Sequence, residues 1–474
     1  MRKSPLPQDI VVRIKAENPS DAVCNQYAYK KLMPHFSWES EAWIQGQFSK
    51  KRKTYREHPF VKHEVSGFYY FPTGLIPKAL KLCKENKWGC KFENTGFNLG
   101  ATKPEMPKGF KFRPHQLKAI KAATKAGRGV IHASTASGKT ITAFGIFQAY
   151  LLANPGEKCL FLAHTIDLVK QAAKEFTDLG GNVGILQGET RTDGEIICAT
   201  IQTLEKMGID AYQNEFITVI VDECHKIASF TGRYAQVIQN SFCPTRFAVT
   251  ATLPNKPEAK VALEAIIGPV LDTFSISDGI KAGVLSTPKI FFVPYDNAFM
   301  GDFKTYKDIY QKNIVQNKSR NTLIAKIAKN LAEKEQSSLI FVRHIEHGDN
   351  ISKILKSMGV GHFWINGQSD KEVRIQLKSV LEKKEVMIGI CSTIWNEGIS
   401  IKSLNNCILA GAGKDEKMVL QVVGRGTRVD EGKDTVLIWD FLDPQKLLAQ
   451  QCIERMIVYR EQGWIVSILK KKEK

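Results

Sequence analysis

The sequence has no CxxC pair and no Cys/His spacing suited to zinc, although ten cysteines are scattered along it at positions 24, 83, 90, 159, 198, 224, 243, 391, 407 and 452. That spacing argues against a metal site built from cysteine. Several of them, Cys198 and Cys391 included, sit inside apolar runs where a reduced thiol acts as a small hydrophobe, so no disulfides are expected. No stretch approaches the roughly eighteen consecutive apolar residues of a membrane span. The opening MRKSPLPQDIVVRIKAENPS holds no apolar segment long enough for a secretory signal, which points to a cytoplasmic protein with no membrane partner. Short-period repeats are lacking too. Acidic residues are in deficit: 48 Asp+Glu stand against 67 Lys+Arg, a formal charge of +19, and this surplus makes a polyanion such as nucleic acid the first partner to consider.

What is present is enough for several domains. At about 150 residues per domain, 474 residues suggest about three, and 43% hydrophobic residues supply more than one core. Proline-bearing stretches at 101–109 and 283–288 mark boundaries. The expected division is 1–105, an accessory and nucleic-acid-binding domain; 106–285 and 286–455, two α/β domains; and 456–474, a basic C-terminal tail. In the second and third blocks, short β-branched runs alternate with amphipathic stretches, the pattern of parallel βαβ units. Strands are predicted at 129–132, 158–163, 195–199, 218–221 and 246–250, then at 290–293, 338–342, 386–391, 406–410 and 435–440, giving two doubly wound parallel-sheet domains in tandem.

The first block reads as a small α+β domain. Residues 1–110 hold 19 Lys+Arg against 10 Asp+Glu, so under a quarter of the chain carries +9 of the +19. Trp38, Trp43, Phe48, Tyr55, Phe60 and the run 68–71 are read as core in preference to base-stacking platforms, and a helix is predicted over 77–88. The cluster Lys50-Lys51-Arg52-Lys53 interrupts these aromatics and is the candidate for contact with nucleic acid.

The sharpest local signal is Ala133-Ser-Thr-Ala-Ser137-Gly138-Lys139-Thr140, between a predicted strand and a helix over 141–152. It fits a phosphate-binding loop in its last three residues: Gly138 lets the backbone approach, Lys139 neutralises β/γ-phosphate charge and Thr140 offers a hydroxyl to Mg2+. Ala133 stands where the pattern has Gly. Farther on, the apolar run Ile217-Thr-Val-Ile-Val ends in Asp222-Glu223-Cys224-His225. A strand buried on both faces delivers Asp222 to a phosphate crevice, where it can hold Mg2+ through water while Glu223 polarises the attacking water. Alone, an Asp-Glu pair at a strand end would be a solvated turn; together with Lys139 it points to ATP and Mg2+.

The Asp-Glu-Cys-His box after a phosphate loop resembles motif II of the superfamily-two helicases, and further motifs follow in order. Phe112-Arg113-Pro-His-Gln116 resembles the adenine-reading element. Leu162-Ala-His164-Thr and Ile197-Cys-Ala-Thr200-Ile-Gln202-Thr resemble loops that touch the nucleic-acid backbone, and Thr250-Ala-Thr252 resembles the motif coupling hydrolysis to strand movement. Leu339-Ile-Phe-Val-Arg343 resembles motif IV. Thr393-Ile-Trp-Asn-Glu-Gly398-Ile-Ser400 resembles motif V, with Ser400 where many relatives have Asp. Gln421-Val-Val-Gly-Arg425-Gly-Thr-Arg428 resembles motif VI. The resemblance implies two RecA-like motor domains after a small α+β domain. It also implies ATP held by Phe112, Arg113, Gln116, Ser137, Gly138, Lys139, Thr140 and Gly398, and catalysis by Lys139, Asp222, Glu223, Gln421, Arg425 and Arg428. Contacts to DNA would come from His164, Thr200, Gln202, Arg343 and Thr393 besides the Lys50–Lys53 cluster.

Gln421 at the head of motif VI, the segment 278–285 and the small leading domain resemble phage branch-migration helicases of the UvsW type. That resemblance implies a monomer, in the host cytoplasm if phage-encoded, that drives along single- and double-stranded DNA and remodels forks, Holliday junctions and displacement loops in recombination, repair and replication. An RNA helicase, a restriction-system motor and an ATP-switched binding protein without unwinding are the rivals.

Overall fold

The computed structural model describes residues 12–470 apart from 17, 46–49, 63, 65, 94–98, 107–108, 189, 296–304, 370–378, 382, 384, 393–403 and 414–434. The chain divides into two compact units, one comprising residues up to 133 with 138–274, the other comprising 275 onward with the loop 134–137.

The first unit begins with β1 (Val12–Ala16), β2 (Asp21–Cys24), α1 (Gln26–Phe36), β3 (Trp38–Gln45), β4 (Lys50–Glu57), β5 (Val61–Lys62), β6 (Tyr69–Pro72), α2 (Ile76–Glu85) and β7 (Cys90–Glu93). Five of the strands make a sheet in the order β5-β6-β2-β1-β7, whereas β3 and β4 pair only with each other in an antiparallel hairpin. The small core gathers Leu32, Phe36, Phe60, Phe71, Leu75 and Cys83, so the reading of Phe60 and Phe71 as core holds. Trp38 is likewise buried, while Phe68 is exposed.

The motor sheet of this unit is built from α3 (Pro114–Ala126), β8 (Arg128–Ala133), α4 (Lys139–Leu151), β9 (Cys159–Ala163), α5 (Ile166–Asp178), β10 (Val183–Gln187), β11 (Thr190–Arg191), β12 (Ile196–Thr200), α6 (Ile201–Met207), β13 (Thr218–Asp222), α7 (Arg233–Asn240), β14 (Thr245–Thr250), α8 (Pro257–Ile266) and β15 (Val270–Phe274). Its order is β11-β10-β12-β9-β13-β14-β8-β15. Every pairing is parallel except β10 with β11. Strands β9 and β12 are buried at every residue, because helices cover both faces of a parallel sheet; this is why they read as continuous apolar runs. Helix α5 shows the complementary pattern, burying Val169, Ala172, Ala173 and Phe176 on one stripe, with Thr165 capping its start by accepting from Leu168 N at 3.3 Å.

The small N-terminal sheet is fastened to this motor sheet by polar contacts at residues distant in sequence. Arg246, 1% exposed, donates to Ser20 Oγ at 2.7 Å and to Cys243 O at 3.0 Å, while Ser20 Oγ donates to Gln239 O at 2.5 Å. Arg128 donates to Thr73 Oγ1, at 2.5 Å, and to the carbonyls of Ile266 and Ile267. Gly74 meets the end of α8 so closely that a Cβ on it would lie 2.3 Å from the carbonyl oxygens of Glu264 and Ala265.

The second unit holds α9 (Ile276–Lys281), β16 (Thr287–Pro294), α10 (Tyr306–Tyr310), α11 (Lys318–Ala332), β17 (Ser338–Val342), α12 (Ile345–Ser357), β18 (Phe363–Ile365), β19 (Ile388–Ser392), β20 (Asn406–Leu409), β21 (Thr435–Leu442), α13 (Lys446–Glu461) and β22 (Ile465–Ile468). All pairings in its sheet, ordered β18-β19-β17-β20-β21-β16-β22, are parallel. The stretch expected to be a basic tail from 456 differs: it completes α13 and adds β22 to the edge of the sheet beside β16, held by buried Tyr459 and Trp464. Two buried ion pairs, Arg320–Asp443 at 2.9 Å and Arg455–Asp440 at 2.8 Å, sit under the carboxyl end of β20. Their guanidiniums also donate to the carbonyls of Ala410 and Gly413, fixing the chain just before the stretch that carries Gln421, Arg425 and Arg428. The larger sheet of the first unit and the sheet of the second are thus both doubly wound α/β arrangements, as the alternation of strand and helix patterns predicts.

Candidate active site

Parallel register brings the candidate residues of the first unit to one edge. Val221 lies opposite Leu162, Asp222 opposite Val249 and Thr250 opposite His132, so β9, β13, β14 and β8 all end at the same level. In an open parallel sheet this carboxyl edge is where ligands bind.

From β8 the chain turns through 134–137 into α4. Gly138 caps that helix with φ 86° and ψ 41°, a left-handed conformation that disfavours a side chain. A Cβ there would also lie 2.5 Å from Gln116 Nε2. Ser137, 2% exposed, donates from Oγ to Ser134 O at 2.7 Å and sets the turn. Lys139 and Thr140 open α4, so the amino-terminal N–H groups and positive dipole end of a thirteen-residue helix face any anion held by the loop.

Asp222 ends β13, and Glu223 follows at φ 52°, ψ 53°. A non-glycine residue in that region stores backbone strain of about 1 kcal/mol or more, typical of functional turns. Its N–H donates to Asp222 Oδ1 at 3.0 Å and to Val249 O at 3.2 Å. Beyond it, His225 Nδ1 lies 3.1 Å from Glu223 Oε2 and 3.4 Å from Thr252 Oγ1. Thr250 Oγ1 donates to Thr252 O at 2.8 Å, and His132 Nε2 donates to Ala251 O at 3.3 Å. The carboxylate expected to handle water is therefore linked by one imidazole to the Thr250–Thr252 turn.

The electrostatics are uneven. Burial, with Glu223 beside it, pushes the Asp222 carboxyl up to about 7, against the opposing charges of Lys139 and His164. Burial acts to raise Glu223 as well, but the hydrogen bond from His225 and the charges of Lys139, His225 and His164 outweigh it and hold Glu223 below the usual carboxylate range. Two adjacent carboxyls sharing a half-buried edge are under-neutralised, and a divalent cation there removes the deficit; with the Thr140 hydroxyl at the start of α4 beside Lys139, the oxygen donors suit Mg2+.

Of the candidates, Gly138, Lys139, Asp222, Glu223 and His164 meet at this edge. His164, expected to face nucleic acid, lies close enough for its charge to bear on both carboxylates. Gln116, expected to face adenine, is 1% exposed: its Oε1 accepts from Arg113 N at 2.8 Å and its Nε2 donates to Gly138 O at 3.4 Å, so it braces the loop. Phe112 packs against α4, where a Cβ on Gly145 would come within 2.8 Å of its ring. Thr200 turns its hydroxyl to Thr203 N as the cap of α6 and is 4% exposed, leaving Gln202, in the first turn of α6, as an exposed residue of that segment. Arg343 follows β17, and Gly413, at φ 102°, leaves room for its guanidinium. Lys50–Lys53 lie on β4. Thr393, Gly398, Gln421, Arg425 and Arg428 lie outside the described residues. His132 was not among the candidates; its sequence signal is a lone polar residue inside the apolar strand Val-Ile-His-Ala.

Two family models match the chain: "Type III restriction enzyme, res subunit" over residues 109–255 and "Helicase conserved C-terminal domain" over 319–430. With the tandem parallel-sheet domains and the ordered motifs, they define the class: the chain belongs to the superfamily-two helicases, enzymes that hydrolyse ATP in response to nucleic acid. Within that class it is 25% identical over 461 residues to the ATP-dependent DNA helicase uvsW of Enterobacteria phage T4, covering 89% of this chain and 88% of that one. The probable helicase D10 of Escherichia phage T5 is 23% identical over 338 residues, 71% of this chain and 72% of that one. Among solved structures, the fragment of a putative HsdR subunit of a type I restriction enzyme from Vibrio vulnificus YJ016 shares the fold, with a TM-score of 0.60 at 18% identity over 96% of this chain and 93% of that one. No helix among the described residues is long and apolar enough to cross a membrane.

Proposed function

We propose that this chain is an ATP-driven DNA translocase, acting as a monomer in the cytoplasm of a host cell, that unwinds and branch-migrates forks, Holliday junctions and displacement loops. The observation that carries the reading is the linked set Glu223–His225–Thr252 beside Asp222 at the mouth of the phosphate loop. It joins the residue that handles water to a turn at the sheet edge, as a motor needs. The +19 charge and the likeness to a phage DNA helicase over 88% of that relative's length support DNA as the track.

In this reading the amino end of α4, Gly138 and Lys139 bind the phosphates. Thr140 and Asp222 hold Mg2+, which supplies charge neutralisation at the γ-phosphate. Glu223, kept ionised by His225, accepts the proton of the attacking water. Phe112 and Arg113 flank the adenine, with Gln116 and Ser137 setting the loop they adjoin, and Gly398 is assigned a nucleotide contact. Arg425 and Arg428 would supply positive charge to the transferring phosphoryl group, worth about three orders of magnitude in comparable ATPases, and Gln421 would add a neutral amide hydrogen bond. Gln202, Arg343 and Thr393 grip the strand through its phosphates, with Thr200 and His164 shaping the loops, so little sequence preference and steep salt dependence follow.

The test is ATP hydrolysis and strand separation measured with single-stranded DNA, duplex, forks, four-way junctions and matching RNAs, with Lys139→Ala as control. Branched DNA should stimulate most, and Lys139→Ala should hydrolyse at least about 100-fold more slowly while still binding DNA. Stronger stimulation by RNA would make the protein an RNA helicase. Nucleotide binding without turnover on any substrate would make it a switch.

A further inference from the structure

Nine of the ten cysteines are buried and one, Cys90, is exposed. Cys90 opens β7, an edge strand exposed at all four residues and paired only with β1. Its sulfur shares a hydrogen bond with the thiol of Cys83, which is 2% exposed and belongs to the small core with Leu32, Phe36 and Phe71. The two meet because α2 ends in a cap that turns the chain back on itself. Trp88 N donates to Cys83 O at 2.9 Å, Lys87 N donates to Lys84 O at 3.2 Å, and Lys87 takes the left-handed conformation at φ 54°. Cys83 therefore supplies the carbonyl that closes the cap, and Cys90 follows just beyond it at the start of the returning strand.

The surroundings of the two sulfurs differ. Burial, with Cys90 beside it, pushes the Cys83 thiol up to about 12, so Cys83 keeps its proton and donates to Cys90. Cys90 faces water beside a run rich in lysine. Residues 81–93 hold four Lys against two Glu. Lys81 pairs with Glu85 at 3.7 Å and Lys91 with Glu93 at 3.2 Å, which leaves the exposed Lys84 and Lys87 as surplus positive charge. Exposure with surplus positive charge is the setting of oxidant-reactive cysteines, and burial that of inert ones.

We infer that Cys83 and Cys90 are a peroxide-responsive thiol pair: Cys90 takes the oxidant, and Cys83 resolves it to a disulfide that staples β7 to α2. In the first step the Cys90 sulfur, as thiolate, attacks one oxygen of a hydroperoxide. The O–O bond breaks, the other oxygen leaves as water or an alcohol, and Cys90 becomes a sulfenic acid. The Cys83 sulfur then displaces that hydroxyl from Cys90, and its own proton departs with it as water. Two thiols have lost two electrons and two protons, and the peroxide has gained both. The sulfurs must close to about 2.05 Å, and β7, paired on one side only, is the element that can give. Helix α2 is anchored, since Lys78 reaches Glu264 of α8 at 3.1 Å. The staple thus ties the outermost strand of the small sheet to a helix seated on the motor sheet, and a dithiol reductant releases it.

The experiment treats the reduced full chain with a small excess of hydrogen peroxide, caps the remaining thiols with N-ethylmaleimide and maps tryptic peptides by mass. Because Lys84 and Lys87 separate the two cysteines, the disulfide joins two distinct peptides. The parent should yield that joined pair, about 2 Da lighter than the two free peptides together, and lose it on treatment with dithiothreitol. Cys90→Ser should give no joined pair. Cys83→Ala, which keeps a small apolar group in the core, should instead accumulate a Cys90 sulfenic acid that dimedone captures at least about fivefold more than in the parent. Oxidised parent should also unfold at a higher temperature than reduced parent, a shift that Cys90→Ser lacks. Cys90 joined only between two chains, seen as a dimer on a non-reducing gel, would overturn the pair. So would Cys90 carried to sulfinic acid with Cys83 still alkylated, or a Cys83→Ala protein that traps no more sulfenic acid than the parent. Neither ATP nor DNA enters the measurement, so its failure is separate from any failure of the proposed function.

Discussion

Replacing Asp222 by Asn should make the protein more stable above neutral pH while abolishing its metal-dependent turnover. The folded carboxyl sits at about 7, against 3.8 for an ordinary aspartate, because burial and the neighbouring Glu223 penalise its charge. As pH rises from 4 to 7 the unfolded chain loses this proton before the folded chain does, so the group's contribution, complete below about 4, is lost progressively through that window. Three pH units at about 1.36 kcal/mol each set a ceiling of about 4 kcal/mol. Asp222 is only half-buried, and solvent screening brings the expected loss to about 2–3 kcal/mol. Asparagine fills the same volume and has no proton to lose. Thermal unfolding in EDTA should therefore give nearly equal midpoints at pH 4.5 and an Asp222→Asn midpoint higher by on the order of 5 °C at pH 8. Adding Mg2+ with a nucleotide should raise the parent and not the variant, closing the gap. Parallel pH profiles for the two proteins would refute the argument, since they would mean that Asp222 carries its charge at no cost.

Glu223→Gln keeps the shape of the turn and removes the proton acceptor; ATP should still bind, while single-turnover hydrolysis falls at least about 100-fold. Gly74→Ala places a methyl 2.3 Å from two backbone oxygens of α8 and should destabilise the first unit by about 2 kcal/mol or more, seen as a lower unfolding midpoint for that unit with little change in the second. Arg455→Ala leaves Asp440 buried without its partner, costing about 3–5 kcal/mol, whereas Arg455→Met with Asp440→Leu should recover most of that; the double variant melting no higher than the single would refute the assignment.

What the sequence made legible follows from which residues are covered on all sides. β9, β12 and β19 are buried at every position and stand out as apolar runs. The phosphate loop and the Asp222–Glu223 pair are legible because charge at the end of such a run has no packing purpose. Edge elements leave no such trace: β15 and β22 expose Val270 and Ile465 about half-way, and their pairing is decided by partners far away in the chain. β4, Lys-Lys-Arg-Lys-Thr-Tyr-Arg-Glu, has no alternation to betray a strand, and opposition to β3 supplies what its own propensity does not. Gln116 and Thr200 carry engagements that the sequence hides for a subtler reason. Each side chain is engaged with a backbone group, Gln116 at Arg113 N and Gly138 O, Thr200 at Thr203 N, and such engagement is invisible until the loop geometry is known.

The seam between the small sheet and the motor sheet bears on biosynthesis. Ser20 and Thr73 leave the ribosome well before Gln239 and Arg246 can meet the first or Arg128 the second, and the core around Phe36 and Phe71 includes Ala265. The leading domain therefore cannot finish packing when its own last strand, β7, has been made; it waits for about 170 further residues, until α8 has been translated. Ribosome-bound chains that stop short of α8 should remain open to protease around residues 20 and 73, and a fragment ending near residue 105 should inherit that unfinished surface.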